Sequence, residues 1–378
     1  MKIDFFKAEL GESEINAVTK VIESGWLTYG KVTERFEELF RGDVGSRYAL
    51  AVNSCTSALH LAFDAIGVSD GDEVILPTNT FVATAEAVTY CNGVPVLCDI
   101  NYSDHNIDVS KIEDLITERT VAICPVHFAG KPCDMEAILD IAKRHNLYVI
   151  EDSAHALPAR HKLGHIGTLG DITCFSFYAT KTITTGEGGM ITTDNEKLYK
   201  KMKSKRLHGV TKDANDRATS KNKWEYDVVD RGYKYNTTDI ASSIGIEQLN
   251  KAGDFIFLRQ SASMRYRMFI DNINGVDVIE QTVENGYSSY HLFVIRVDNR
   301  DKVIEYMQEK GVQTSVHFKP IHMMTYYKEK YNLTEDMFPN ATDIFSKSIS
   351  LPIYPSISFN EIKYVCSVLE EAIAHCSK

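Results

Sequence analysis

A single lysine stands in the stretch FSFYATKTITTGEGG, residues 175–189, with a serine hydroxyl five positions before it and glycines soon after. An unperturbed lysine amine titrates near about 10.4 and is a weak nucleophile at neutral pH. Desolvated, or set beside another positive charge, it becomes competent to form a Schiff base. Lys181 follows the apolar run ITCFSF (172–177), so it stands where a strand gives way to a loop that reads as flexible. The plainer alternative is a solvated lysine that caps a strand, as most lysines are solvated.

Three further stretches bear on that choice. VIEDSAHA (149–156) puts Glu151 and Asp152 at the carboxyl end of an apolar strand, the side on which open α/β sheets bind ligands. A carboxylate there can pair with a cationic ring nitrogen, as pyridoxal phosphate (PLP) requires of its protein; an acidic helix cap is the alternative. NSCTSAL (53–59) is a turn of small residues opening a helix, suited to a phosphate or to an ordinary Ser/Thr cap. Ser176 offers a hydroxyl to the same phosphate, or is a core serine bonded to backbone. Taken together, and in this order, they describe a PLP site.

The elements that must carry these residues alternate. Strands are expected at 47–53, 73–77, 94–100, 120–126, 148–152, 172–177 and 189–194, with helices at 56–67, 81–91, 109–117 and 134–145. Continuous apolar strands alternating with helices imply an α/β fold with a mixed, mainly parallel sheet covered on both faces. Residues 208–230 are polar and poorly periodic and read as a long loop. A helix at 238–250 and a second, long one to about 272 follow. The remainder (290–297, 300–310, 312–318 and a final helix at 359–375) suggests a smaller α+β domain, giving a large domain 1–250 and a small one 251–378.

The 378 residues are 44% hydrophobic, enough for a substantial core, and carry a formal charge of −11. No long basic run occurs, which argues against nucleic acid as a partner. Eight cysteines form no C-x-x-C pair, so no zinc ribbon is supported. His161 and His165 are four apart in HKLGHIG, but the glycines make this a loop, and no metal is expected. Without a signal-peptide pattern or an apolar run of roughly 18 residues, the expectation is a soluble, reduced, cytoplasmic protein. The sequons at Asn101, Asn236, Asn332 and Asn340 are then chance matches.

With these residues in hand, the chain resembles the DegT/DnrJ/StrS family of sugar aminotransferases, which have the fold type I architecture of PLP-dependent transferases. The matching stretches include SGWLTYG (24–30), NSCTSALHLA, LPTNTFVATAEAV (76–88), PVHFAGKPCDM (125–135), IEDSAHA, the lysine block, GYKYNTTDIASSIGIEQL (232–249) and YHLFVIRV (290–297). The resemblance implies that Lys181 holds PLP as an internal aldimine and, once freed, moves a proton between donor and cofactor. Asp152 would partner the pyridine nitrogen, His155 lie beside the ring hydroxyl, and Phe81 stack on the ring. Cys55 and Thr56 would give the phosphate backbone donors and Ser176 its hydroxyl. Asn236 would reach the phosphate from a second subunit, so the enzyme would be at least a homodimer with shared sites. Cys55 departs from the usual Gly or Ala, and Thr237 from an apolar residue.

The same resemblance implies an amino group passing from L-glutamate to a nucleotide-linked keto sugar. His317, Lys319 and His322 in SVHFKPIHMMTYYKEKY (315–331) would face the diphosphate or sugar, or be packed or surface residues. HFKPIH is similar to members that aminate carbon 4 of a 4-keto-6-deoxy hexose. Trp26, Thr28 and Tyr29 would border the sugar pocket, or Trp26 would pack a helix start against the core. Relatives that dehydrate sugars replace the lysine with His, which Lys181 argues against. A 3-keto aminotransferase, an enzyme that builds aminohydroxybenzoate and a non-enzymatic regulator stay open. A Rossmann dehydrogenase lacks its strand-GxGxxG-helix unit.

Overall fold

The computed structural model describes residues 1–211 and 226–376. Its strands in chain order begin with β1 (Tyr48–Val52), β2 (Glu73–Pro77), β3 (Val94–Cys98), β4 (Thr120–Ile123) and β5 (Tyr148–Asp152). A two-residue hairpin, β6 (Arg160–His161) and β7 (Gly164–His165), is followed by β8 (Ile172–Ser176) and β9 (Gly189–Thr193). The seven long strands form one sheet in the order β1-β9-β8-β5-β4-β2-β3. Only β9 runs against its neighbours, while β8, β5, β4, β2 and β3 pair in parallel. The parallel strands therefore end on one edge. Their residues are buried almost throughout, as two covered faces require.

Helix α1 (Glu12–Ser24) packs on the long helix at Asp239–Ile270, while α2 (Lys31–Val44), α3 (Cys55–Ile66), α4 (Val82–Tyr90), α5 (Met135–His145) and α6 (Glu196–Lys205) cover the sheet. Helices α1, α2 and α6 were not anticipated from the sequence. Phe36 and Phe40 of α2 pack with Phe175 and Phe177 around β8, each ring contributing about 2 kcal/mol by burial. The helix expected at 109–117 is instead two single 3-10 turns, Val109–Lys111 and Glu113–Leu115. The Asp108 side chain accepts from the Ser110 amide and turns the chain before an α-helical bond can form.

The two helices expected from 238 to 272 are one, α7 (Asp239–Ile270), which runs through position 250/251. Thr238 caps it through the Ala241 amide. Gly245 lets α2 close on it, because a Cβ there would lie 2.6 Å from the Phe36 ring. Beyond it come β10 (Val276–Val278), β11 (Phe293–Val297), α8 (Arg300–Glu309), α9 (Thr325–Lys330), α10 (Pro339–Lys347), β12 (Ser348–Leu351) and α11 (Phe359–Cys376). A three-stranded antiparallel sheet, β10-β11-β12, packs against α11 and the distal part of α7. Residues 312–318 form no strand. They make isolated bridges from Val312 to Ile3 and from Ser315 to Ser350. Ile321, Tyr327, Phe338 and Ile344 return to the first core, beside Leu76 and Leu97. Of the long loop read at 208–230, residues 212–225 lie outside the described residues; Val210 bridges Val228.

Candidate active site

The carboxyl ends of β5 and β8, the turns after β1, β2 and β4, and residues 315–318 enclose a cavity of about 580 Å³. Ser54, Cys55, Thr56, Phe81, Asp152, His155, Ser176, Lys181 and His317 all line it. One sheet edge thus gathers every residue that the sequence singled out for the cofactor except Asn236.

Lys181 is set by the chain on either side of it. Its amide donates to the Tyr178 carbonyl, and the Thr185 amide and Thr184 hydroxyl both donate to the Phe177 carbonyl. The Thr182 hydroxyl donates to the Leu157 carbonyl and that of Thr185 to the Glu187 carbonyl. Thr182, Thr184 and Thr185 are buried. The loop read as flexible is pinned by its own threonines. Among the described residues the Lys181 amine has no hydrogen bond or ion pair. Burial pushes it from its ordinary 10.5 down to about 8, against the pull of Cys55 and Asp152.

Asp152 is buried at the end of β5. Its Oδ2 accepts from the Thr84 hydroxyl at 2.7 Å and its Oδ1 from the Ala154 amide at 3.1 Å. Burial raises its pKa, while these two donors, Lys181 and His127 oppose the rise. Directly behind it, His127 Nε2 lies 2.9 Å from Glu151 Oε2, and both are buried. Glu151 also accepts from the Gly170 amide and the Thr173 hydroxyl, so it serves the core and not the cavity.

His155 Nδ1 accepts from the Ala129 amide, which leaves Nε2 to carry the proton. Burial, with Lys181 and His317 nearby, holds His155 well below its ordinary pKa, so the ring is neutral. Its ring stacks on Phe318 and lies 4.4 Å from that of His291. His291 also lines the cavity; it was quoted in YHLFVIRV but given no role. Phe5 and Phe6 were missed as well. Their place in the wall follows from the Ile3–Val312 bridge, a pairing across 309 residues with no local signal.

Where the start of α3 meets the cavity, Ser54 caps the helix by accepting from the Ser57 amide. The first amides of α3, at Cys55 and Thr56, have no intrahelical acceptor. Gly189 lets β9 run directly beneath, since a Cβ there would lie 2.7 Å from the Ser54 carbonyl carbon and 2.8 Å from the Cys55 nitrogen. This cradle, the unpaired amine and the donor-held carboxylate fit a PLP group.

The other sequence candidates lie elsewhere in the chain. Tyr29 is buried, its hydroxyl 3.2 Å from Glu37 and its ring under Arg206, outside the cavity. Trp26 donates from Nε1 to the Tyr29 carbonyl and is exposed, as is Thr28; neither lines the cavity. His322 is buried with both ring nitrogens in use, on Thr78 and Thr342, and its ring stacks on Phe338. It is a packing residue of the 321–344 segment in this structure. Lys319 is exposed and outside the lining, while His317 is inside it, its Nδ1 2.8 Å from Ser350 Oγ. Asn236 sits on the Val52 bridge with its Nδ2 donating to the Thr237 carbonyl; it does not reach the cavity of its own chain.

This sheet order, with a desolvated lysine and a buried aspartate on the carboxyl edge, defines a fold type I transferase. Comparison with known proteins narrows the class. The profile of the DegT/DnrJ/EryC1/StrS aminotransferase family matches residues 8–370. The spore coat polysaccharide biosynthesis protein SpsC of Bacillus subtilis is 40% identical over 96% of this chain and 95% of its own length. The UDP-4-amino-4-deoxy-L-arabinose–oxoglutarate aminotransferase of Shewanella sediminis is 34% identical over 97% of each chain. Spr1654 of Streptococcus pneumoniae, solved in PLP and PMP forms, superposes in the PMP form with a TM-score of 0.94 at 30% identity over 99% of this chain and 100% of that one. PseC of Helicobacter pylori, an aminotransferase involved in the biosynthesis of pseudoaminic acid, superposes with a TM-score of 0.93 at 29% identity, again over 99% and 100%. The chain belongs to the DegT/DnrJ/EryC1/StrS aminotransferase family. No described helix is long and apolar enough to cross a membrane.

Proposed function

We propose that this protein is a PLP-dependent aminotransferase that moves an amino group from L-glutamate to a nucleotide-linked keto sugar. The acceptor is carbon 4 of a 4-keto-6-deoxy hexose, made for a surface polysaccharide or glycan. One observation carries this reading: Lys181, its amine brought down to about 8 by burial, shares a single cavity with Asp152 and Ser176. The named relatives support the substrate class, since one acts at the 4-amino position of a UDP sugar with oxoglutarate as its partner and another serves a coat polysaccharide.

When bound, PLP supplies a carbonyl for amines and a ring that accepts electrons from the donor's α-carbon. Lys181 would hold it covalently and would serve as the acid and base at that carbon. Asp152 would hold a proton at the ring nitrogen. His155, with its proton on Nε2, would donate to the ring hydroxyl oxygen, and Phe81 would cover the ring. The amides of Cys55 and Thr56 and the hydroxyl of Ser176 would bind the phosphate. His317 faces the sugar as a neutral ring, because burial and the nearby Lys181 push it down to about 4.

Among the described residues, the cavity of one chain is lined by one cationic side chain, Lys181, and two carboxylates, Asp152 and Glu187. A nucleoside diphosphate and a dicarboxylic donor need more positive charge than that. We assign the balance to a second copy of the chain, which also brings Asn236 to the phosphate. In this assembly Trp26, Thr28 and Lys319, exposed in one chain, are free to border the sugar. Tyr29 and His322 support that wall from behind.

The purified protein, loaded with PLP, should absorb in the visible range and be bleached by borohydride, with the label on Lys181 by peptide mass spectrometry. Lys181→Ala should abolish both the label and amino transfer to a panel of nucleotide-linked 4-keto and 3-keto sugars, with product mass as the readout. Turnover by the variant would refute the role of Lys181, and a 3-amino product the assigned carbon.

A further inference from the structure

We propose that Thr84, backed by Thr80, is a positioning residue for Asp152: a chain of two hydroxyls that orients the carboxylate toward the cofactor ring and donates to it. The inference rests on the reading of Asp152 as the partner of the ring nitrogen.

Thr84 Oγ1 lies 2.7 Å from Asp152 Oδ2 and 2.7 Å from Thr80 Oγ1. It also lies 3.2 Å from the Phe81 carbonyl oxygen. A hydroxyl has one proton to give. An ionised carboxylate can only accept and is the stronger acceptor at the shorter distance. The Thr84 proton therefore goes to Asp152, and Thr80 must donate to Thr84. The chain runs in one direction, Thr80 to Thr84 to Asp152, and each link polarises the next.

Thr80 and Thr84 are both fully buried, so no bulk water can replace a lost hydroxyl. Asp152 needs such donors, because burial favours its neutral form, and Thr84 is the foremost influence opposing it. The Ala154 amide takes the other oxygen. With one donor on each oxygen the carboxylate plane is fixed, leaving a free lone pair for the ring N–H. Thr84 stands in the first turn of α4, three residues after Phe81, so one turn of helix sets both the ring-covering aromatic and the aspartate. The sequence contains the pair as TNTFVAT but gives no sign that its target lies 68 residues away on β5.

The test uses the full-length protein as Thr84→Val, Thr84→Ser, Thr80→Val and Asp152→Asn. Three properties are measured: PLP affinity by fluorescence titration, the pH midpoint of the bound cofactor's absorbance, and the melting temperature of PLP-free protein. Thr84→Val should bind PLP about tenfold more weakly and move the absorbance midpoint. Thr84→Ser should keep affinity within about twofold, since it keeps the hydroxyl. Thr80→Val should shift both readouts in the same direction as Thr84→Val, by less. If Asp152→Asn is defective but Thr84→Val matches wild type in affinity and midpoint, the hydroxyl chain is overturned and the reading of Asp152 stands. If Thr84→Val only lowers the melting temperature, Thr84 is a packing residue and the proposal fails. An Asp152→Asn protein identical to wild type overturns the reading beneath it.

Discussion

At the residue scale the proposed chemistry depends on Lys181, a lysine kept out of water. Its depressed pKa makes a kinetic prediction. The rate at which PLP-free protein takes up PLP should rise with pH and level off above about 8, the value to which burial brings Lys181. The sign follows because the neutral amine is the nucleophile, and lowering its pKa extends the neutral form to lower pH. Stopped-flow absorbance across the pH range measures it; a rise centred near the ordinary 10.5 would mean that the amine is solvated. The lysine, the aspartate and the serine were legible in the sequence because each ends or follows an apolar strand. Tyr29 and His322 were given to the sugar pocket by the family resemblance. Their partners Arg206 and Thr78 come from distant segments that no local pattern reveals, while Glu37 and Thr342 lie nearer in sequence.

At the scale of elements, most strands of the sheet were readable to within a residue or two, as at β2 and β5, since their apolar runs are continuous, though β4 ends at Ile123, three residues short of the expected 126. The 109–117 segment was misread because its apolar spacing suits a helix while Asp108 bonds locally to break it. Packing between elements was less accessible, and Gly189 is the clearest case. The sequence shows a glycine-rich stretch; the structure shows why one glycine is required. Gly189→Ala should force β9 away from the first turn of α3, because the contacts a Cβ would meet are backbone atoms of Ser54 and Cys55. We expect a loss of about 1–3 kcal/mol in stability and a marked fall in PLP affinity, read by denaturant unfolding and by PLP titration. An unchanged affinity would place the phosphate elsewhere. Gly186, in the same stretch, has open space around its Cβ position but a positive φ, so alanine there should cost stability with little effect on PLP.

For the whole molecule, the shared site proposed above has a decisive consequence. Lys181→Ala and Asn236→Ala proteins should each be inactive alone. After mixing, denaturation and joint refolding, activity should return, because a mixed dimer holds one site with both residues intact. Were Asn236 to act within its own chain, every site in that mixture would stay defective. Activity assays on the refolded mixture decide between the two. The fold class and a site shared between two subunits were both expectations of the family resemblance, whereas the shortage of positive charge among the described lining residues is visible only once that lining is known.

The stretch around Phe5 and Phe6 in the wall of that cavity also imposes an order of events on folding. The Ile3 amide donates to the Gly311 carbonyl, its carbonyl accepts from Gln313, and the Phe5 ring stacks on His317. Residues 3–6 take their place only once residues some 300 positions later in the sequence are present. A chain halted before position 311 has Lys181 and Asp152 but lacks the wall above them, so the pocket is finished only when residues 311–318 have joined it.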